Sequence, residues 1–318
     1  MSVASSARGG VGPYAMLAGA QVAVGAAAIF ARFALGGAPP LAVSAWRLAI
    51  AAVVLLAIGL WRRPRYLGRA SIPQHDTDAA LSQHDTKGEL IFIGAGIALA
   101  VHFATWISSL NYTSVAGSTL LVATTPIWTA LYDSLVYKRR LSAMAYGAFA
   151  VGAAGLVLVV GYNTTRPPIA GHPYLGDALA IAGAIAIGAY FILVREVRQR
   201  FGTRAIVTRT YSWAALVLLI ASLAAHQNPP AFSDGKAWGG ILAMALVSQL
   251  LGHTALNASL RWFSPSAVAM TSLMEPVTAA ILALFLFGET LTPLAIGGGV
   301  LVLLAIGAFL REEASLPA

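Results

Sequence analysis

The chain of 318 residues is 58% hydrophobic and only 10% charged, with a mean hydropathy of +0.76. An average soluble domain carries about a quarter of its residues as charges, so this composition excludes an ordinary soluble protein and indicates a polytopic membrane protein. Cysteine is absent, which excludes a disulfide framework, a thiolate metal site and a cysteine nucleophile.

Ten stretches are long and apolar enough to cross a bilayer as helices, since a hydrocarbon core of about 30 Å needs about 20 helical residues. In chain order, the predicted spans 1 to 10 are 13–34, 39–61, 89–110, 114–137, 142–162, 174–194, 205–225, 237–260, 265–287 and 292–310. The predicted fold class is therefore an all-α integral membrane protein with ten transmembrane helices.

The net charge of +8 could indicate nucleic-acid binding or the enrichment of basic residues in the cytoplasmic loops of a membrane protein. The positions of the basic residues distinguish these two interpretations. Of the 20 basic residues, 15 lie on alternate connections, whereas the other connections hold only Arg166 and Lys236. This asymmetry predicts a multi-pass protein of the plasma (inner) membrane with both termini in the cytoplasm. The expected partners are a lipid bilayer and a small-molecule substrate, and no nucleic acid.

The longest predicted connection is a polar cytoplasmic loop at 62–88. It holds a short duplication, Gln74-His75-Asp76-Thr77 and Gln83-His84-Asp85-Thr86. Paired histidine and aspartate side chains could ligate a metal ion, but a flexible linker has the same composition and is the preferred interpretation. No metal site and no cofactor are predicted.

Polar groups within spans 2 and 3 are candidate site residues, because ionisable side chains at this depth face a bundle interior or water. Arg47 lies about 10 Å deep in span 2 and could snorkel, pair with a carboxylate or hold a substrate carboxylate. In span 3, His102 and Trp106 are one turn apart. A buried neutral imidazole is the default for His102, although in a cavity it could couple transport to protons.

Spans 4 and 6 add further candidates. Thr125 and Trp128 lie on either side of Pro126 in span 4, and Tyr190 lies in span 6. The aromatic rings could line a cavity, but packing in the core or against lipid fits equally well. Asp133, near the end of span 4, is expected to pair with the basic run 138–140 that follows it.

Span 8 carries a polar stripe, because Gln249, His253 and Asn257 recur at every fourth residue and share one helical face. Lipid would reject such a face. It could form a hydrogen-bonding wall for a zwitterionic solute, or a polar clasp between helices. The periodicity leaves both alternatives open.

Span 9 contains Glu275, the one carboxylate near the middle of the membrane, about 15 Å from the start of its span. Such a group is a candidate proton carrier. Alternatively, it anchors the kink at Pro276, which denies an amide donor to the carbonyl of Ser272.

The chain contains a weak internal repeat at a shift of 150 residues. This shift places Pro126 over Pro276, and Leu141 over Leu291. It predicts two five-helix repeats, at 1–162 and 163–318. Because five is odd, the second repeat would enter the membrane from the opposite side, as in the inverted repeats of many secondary transporters.

Several motifs carry a family resemblance. Glu275-Pro276, then Gly288-Glu289-Thr290-Leu291-Thr292 and a glycine-rich span 10, resemble the second repeat of the drug/metabolite transporter superfamily, EamA-like branch. The resemblance implies ten spans, a buried role for Arg47 and transport of small metabolites, often the export of amino acids. Two departures are Thr125-Pro126 in the first repeat, and Gln21 in place of the proton-coupling carboxylate of small four-helix relatives.

The predicted function is a secondary transporter, in particular an exporter of small metabolites such as amino acids, working by alternating access around a central cavity. Protons are a candidate coupling ion, and the oligomeric state is left open. The predicted cavity residues are Arg47, His102, Trp106, Thr125, Trp128, Tyr190, Gln249, His253, Asn257 and Glu275. The alternatives are a channel-like or structural membrane protein and an intramembrane enzyme. The sequence contains no zinc-ligand spacing and no nucleophile elbow that would favour an enzyme, and no nucleotide-binding loop that would favour an ATP-driven pump.

Overall fold

The computed structural model describes residues 11–61, 86–113, 115–136, 138, 142–161, 173–287 and 292–315. The tetrapeptide duplication, apart from Thr86, and the motif residues 288–291 lie outside this part of the chain. The helices are α1 (Val11–Gly25 and Ala27–Ala34), α2 (Pro40–Trp61), α3 (Thr86–Ser109), α4 (Val115–Val122 and Thr125–Val136), α5 (Ala143–Gly161), α6 (Pro173–Arg198), α7 (Thr203–Ala224), α8 (Gly235–Ala243, Met244–His253 and Thr254–Ser259), α9 (Pro265–Met270, Thr271–Leu273 and Met274–Phe287) and α10 (Pro293–Ser315).

The all-α, ten-helix prediction is confirmed. Within the described residues, eight helices are long and apolar enough to cross a membrane: α1 to α3 and α6 to α10. The structure differs from the prediction at span 4, which is divided into two shorter helices, and at α5, where the apolar run is Ala143–Val159.

Equivalent helices of the two halves begin with equivalent caps. The Ser142 hydroxyl accepts a hydrogen bond from the Ala145 amide, and Thr292, 150 residues later, accepts one from the Ala295 amide, both at 3.1 Å. A hydroxyl at this position satisfies an amide that the first helical turn leaves without a partner. The weak sequence repeat is thus visible in the local structure.

The helices pack in pairs across the two halves. The most extensive contacts join α3 to α6, α1 to α8, α5 to α10, and α2 to α7. If α6 to α10 repeat α1 to α5, the α3–α6 pair corresponds to the α8–α1 pair, and the other two pairs join a helix to its own counterpart. A pseudo-two-fold relation between the halves would generate this pattern.

Several helices are irregular near their midpoints. The chain departs from the α-helix at 123–124 in α4 and forms a 3₁₀ turn over Thr271–Leu273 in α9, in each case just before the proline. Proline supplies no amide to the carbonyl four residues earlier. In α4 that carbonyl belongs to Val122, and the Thr125 hydroxyl donates to it at 2.7 Å.

Helix α8 contains a π-helical segment, Met244–His253, which holds two of the three residues in the predicted polar stripe. π-Helical segments are rare and occur frequently at functional sites. The irregular parts of α4, α8 and α9 all adjoin the centre of the bundle.

Candidate transport cavity

A small, partly open cavity lies between six helices: α1, α3, α4, α6, α8 and α9. If the halves are repeats, these are the first, third and fourth helices of each. The cavity is lined by Gln21, Val24, Ala27, His102, Trp106, Val122, Thr125, Ile187, Phe191, His253, Leu256, Ser272 and Glu275. Binding sites in inverted-repeat transporters lie at the same kind of junction.

The structure brings half of the predicted site residues to this cavity. These are His102, Trp106, Thr125, His253 and Glu275. The other five, Arg47, Trp128, Tyr190, Gln249 and Asn257, are not among its lining residues.

Arg47 is fully buried between α2, α3 and α8. Its Nη2 donates to Oε1 of Gln249 at 2.8 Å, and its Cζ lies 4.0 Å from the centroid of the Phe103 ring. The Phe103 ring in turn packs edge-on against His253, with centroids 5.3 Å apart. The Arg47 guanidinium therefore lies one ring further from the cavity than His253 does.

The polar stripe on α8 divides between two roles. Gln249 contacts Arg47, whereas Asn257 accepts a hydrogen bond from the Tyr190 hydroxyl of α6 at 2.9 Å. The Asn257 amide also donates to the His253 carbonyl at 2.7 Å. Gln249 and Asn257 thus join helices together, and His253 faces the cavity.

The two histidines are adjacent, with ring centroids 6.5 Å apart. The carbonyl of Gly183 on α6 lies 2.9 Å from Nδ1 of His102 and can only accept a hydrogen bond, so Nδ1 carries the proton. In the neutral ring, Nε2 of His102 is then an acceptor. Nδ1 of His253 is buried and has no hydrogen-bond partner among the described residues.

Glu275 is half-buried on the α9 side of the cavity. Its carboxylate makes no hydrogen bond or ion pair within the part of the chain that the structure describes. The anchoring of the kink, which was the alternative interpretation, would require a polar partner, and these residues provide none.

Two polar lining residues were not among the predicted site residues. Gln21 on α1 is fully buried, and its Nε2 donates to the Thr271 hydroxyl at 2.7 Å, while Oε1 has no partner in the described part of the chain. The Ser272 hydroxyl is buried and also has no partner there. A sequence signal existed for both, because Ser272 lies one turn before Glu275 and Gln21 is an isolated polar residue in an apolar span.

A second polar cluster lies where α4, α6 and α9 come together, away from the cavity. The Ser266 hydroxyl donates to Oδ2 of Asp133 at 2.9 Å, and Nη1 of Arg195 lies 3.8 Å from Oδ1. Asp133 was expected to pair with the basic run 138–140, of which Arg139 and Arg140 lie outside the described residues. Its contacts instead connect three of the helices that line the cavity.

Trp128 is the remaining predicted residue. Its indole Nε1 donates to the Thr124 hydroxyl on the preceding turn of α4 at 3.2 Å. The Trp128 side chain is half-buried, and its polar atom forms its hydrogen bond within its own helix.

Comparisons with known proteins agree with this architecture. The model of the EamA-like transporter family matches residues 12–161 and 174–311. The uncharacterized transporter YyaM of Bacillus subtilis is 24% identical over 92% of this chain and 92% of its own. A probable amino-acid metabolite efflux pump of Salmonella typhimurium is 25% identical over 67% of this chain and 74% of its own.

A crystal structure of a protein with 16% sequence identity has the same fold. It superposes with a TM-score of 0.75 over 97% of this chain and 99% of the other. The two family matches together include every residue that lines the cavity, and membership of a transporter family excludes the enzyme alternative. The chain belongs to the EamA-like transporter family, within the drug/metabolite transporter superfamily.

Proposed function

We propose that this transporter exports small metabolites, amino acids among them, by alternating access around the central cavity. The observation that carries the proposal is the cavity itself, which is built from six helices and lined by partly unpaired polar groups. Such polar groups are energetically costly against lipid, whereas a solute in the cavity can form hydrogen bonds with them. The efflux activity in the name of the Salmonella relative supports the direction of transport.

The irregular helices support alternating access. Helices α4 and α9 both change their backbone geometry beside the cavity, and both are connected through the Asp133–Ser266 hydrogen bond. Separation of these two helices at Asp133 would open the cavity on that side. We infer from the distribution of basic loops that this is the cytoplasmic side and that both termini lie there.

Counterflow in proteoliposomes tests the proposal. Vesicles loaded with an unlabelled amino acid mixture should transiently accumulate the labelled amino acids that the protein carries, because a carrier exchanges one bound solute for another. Flux that rises linearly with concentration and is not stimulated from the trans side would establish a channel instead. Empty vesicles and vesicles with heat-inactivated protein provide the baseline.

The absence of cysteine makes a direct test of alternating access simple. The variant Leu256→Cys places the only thiol of the chain in the cavity wall. Under alternating access, a membrane-impermeant thiol reagent should modify it from either side, and an excess of substrate should change the ratio of the two rates. Modification from one side alone, with or without substrate, would contradict the mechanism.

A further inference from the structure

The unpaired polar atoms of the cavity are mainly hydrogen-bond acceptors. This property follows for Gln21 from the contacts of its neighbour. The Thr271 hydroxyl donates its proton to the Val268 carbonyl at 2.7 Å, so toward Gln21 it can only accept. The group 2.7 Å away must therefore be the amide nitrogen of Gln21, which leaves Oε1, a pure acceptor, without a partner in the residues that the structure describes.

The Glu275, His102 and Ser272 side chains can accept as well, whereas the neutral His253 ring also keeps one N–H donor. The Glu275 carboxylate only accepts when ionised, and Nε2 of neutral His102 accepts because its Nδ1 donates to Gly183. Ser272 can accept as well as donate. The described lining residues include no lysine and no arginine, and the Arg47 guanidinium lies behind the Phe103 ring.

A protonated amine is the chemical complement of this wall. It carries one positive charge and up to three N–H donors, which match one carboxylate and several unpaired acceptors. The rings of Trp106 and Phe191 on the cavity wall add an apolar surface, and a cation is favoured near aromatic faces. A carboxylate ligand, in contrast, would meet Glu275 without a cationic side chain to pair with.

We infer that the cavity recognises its solute by a cationic amino group, held by Glu275 with Gln21 and Ser272, and that it does not recognise a carboxylate. This inference deepens the proposed function and rests on it. It predicts that an amine binds more tightly than the amino acid from which it differs only by the loss of the carboxylate.

Three ligands with the same ring separate the effect of charge from that of shape. These are 2-phenylethylamine, L-phenylalanine and 3-phenylpropionate, which carry net charges of about +1, 0 and −1 near neutral pH. Calorimetric titration of the full-length protein in detergent, at constant ionic strength, should give the affinity order amine, amino acid, acid. The amine should bind about tenfold more tightly than the amino acid, which corresponds to about 1.4 kcal/mol.

Two variants assign the preference to the cavity. Glu275→Gln should weaken amine binding about tenfold and leave 3-phenylpropionate no weaker than before. Glu89→Gln is the matched control, because that carboxylate lies on α3 outside the cavity, 3.7 Å from Arg209, and its loss should not change the order. If Glu275→Gln fails to fold, Gln21→Met removes one acceptor at similar size and should weaken amine binding only.

Two outcomes would overturn the inference. One is a wild-type protein that binds the amino acid or the acid at least as tightly as the amine, and the other is the absence of binding by all three ligands. Counterflow of another metabolite in either case would leave the transport proposal standing. Absence of counterflow with every solute, together with tight amine binding, would instead refute transport and retain the binding site.

Discussion

The two halves of the cavity wall are equivalent in position and different in chemistry. Three positions related by the 150-residue shift line the cavity in both halves: Trp106 and Leu256, Val122 and Ser272, and Thr125 and Glu275. The first half contributes an indole ring where the second has an aliphatic side chain. The second half contributes a hydroxyl and a carboxylate where the first has a valine and a threonine.

The Thr125–Glu275 pair shows how the difference arises. The Thr125 hydroxyl donates to the carbonyl that Pro126 leaves without a partner, at 2.7 Å, and lies 3.4 Å from the Ala184 carbonyl of α6, so its polar atom is already paired within the protein. Glu275 occupies the equivalent position before Pro276, but its carboxylate makes no hydrogen bond or ion pair to the described residues. Both helices are irregular just before the proline, but among the described residues only α4 pairs the side chain before the proline with the freed carbonyl.

The largest effect on stability should come from substitution of the glycines at which α1 packs against α9 and α6 packs against α4. A Cβ added to Gly25 would lie 2.7 Å from Cβ of Thr278, whereas one added to Gly188 would lie 3.4 Å from the nearest atom of Thr129. We therefore expect Gly25→Ala to cost about 1–3 kcal/mol through overpacking. Gly188→Ala should change stability by less than about 1 kcal/mol.

Thermal unfolding of the two purified variants in the same detergent measures this difference. Because the contact of Gly25 also involves the Glu275 carbonyl, at 3.2 Å from the added atom, Gly25→Ala should reduce transport as well as the melting temperature. Equal melting temperatures for the two variants would show that the two halves pack alike at these helices.

An intermediate effect is expected when the carboxylate is moved from one half to the other. In the Glu275→Gln background, Thr125→Glu places a carboxylate at the equivalent position of the first half. It should restore part of the amine binding, to within about tenfold of the wild type, because the new group lines the same cavity. The restoration should be incomplete, since Ser272 lies on α9 and Gln21 bonds to α9, and since the Val122 carbonyl loses its hydroxyl donor.

The same calorimetric titration measures the restoration. Thr125→Gln in the same background is the uncharged control and should restore nothing. If the charged and uncharged variants bind the amine equally weakly, the position of the carboxylate in the cavity matters as well as its presence.

The smallest effect is expected at the cluster that connects the two irregular helices. Ser266→Ala removes one hydrogen bond to Asp133, worth about 1 kcal/mol, which is enough to change a two-state population about fivefold. In the Leu256→Cys background, modification by an impermeant thiol reagent from the Asp133 side should become faster by a similar factor.

Ser315→Ala is the control for this measurement, because within the described residues that exposed hydroxyl bonds to a carbonyl of its own helix, that of Glu312. It should leave the labelling rate unchanged. Unchanged labelling in Ser266→Ala as well would mean that the Asp133–Ser266 contact does not hold the cavity closed.

Much of the architecture could be predicted from the sequence. The long apolar stretches gave the helices to within a few residues, since the thickness of a bilayer sets the length of a span. Pro276 predicted a kink in α9, because proline removes an amide donor wherever it lies in a helix. The division of α4 into two helices and the π-helical segment of α8 were not predicted, since neither changes the local hydropathy.

The candidate site was predictable only in part. Gln249, His253 and Asn257 have the periodicity of one helical face, and this face is buried as expected. Periodicity could not show that Gln249 meets Arg47, that Asn257 meets Tyr190 and that only His253 reaches the cavity. Whether these residues act in transport stays a prediction for the experiments above.

The sequence by itself determined the class of the protein, the order of its helices and the supply of polar groups in the membrane, because each depends on local composition and spacing. Only the tertiary structure decided which of those polar groups form hydrogen bonds between helices and which line the cavity. A polar side chain in a membrane helix is equally well satisfied by a neighbouring helix or by a solute in a cavity. The two cases have the same sequence pattern, and only the positions of the neighbouring helices distinguish Asn257, which bonds to Tyr190, from His253, which lines the cavity.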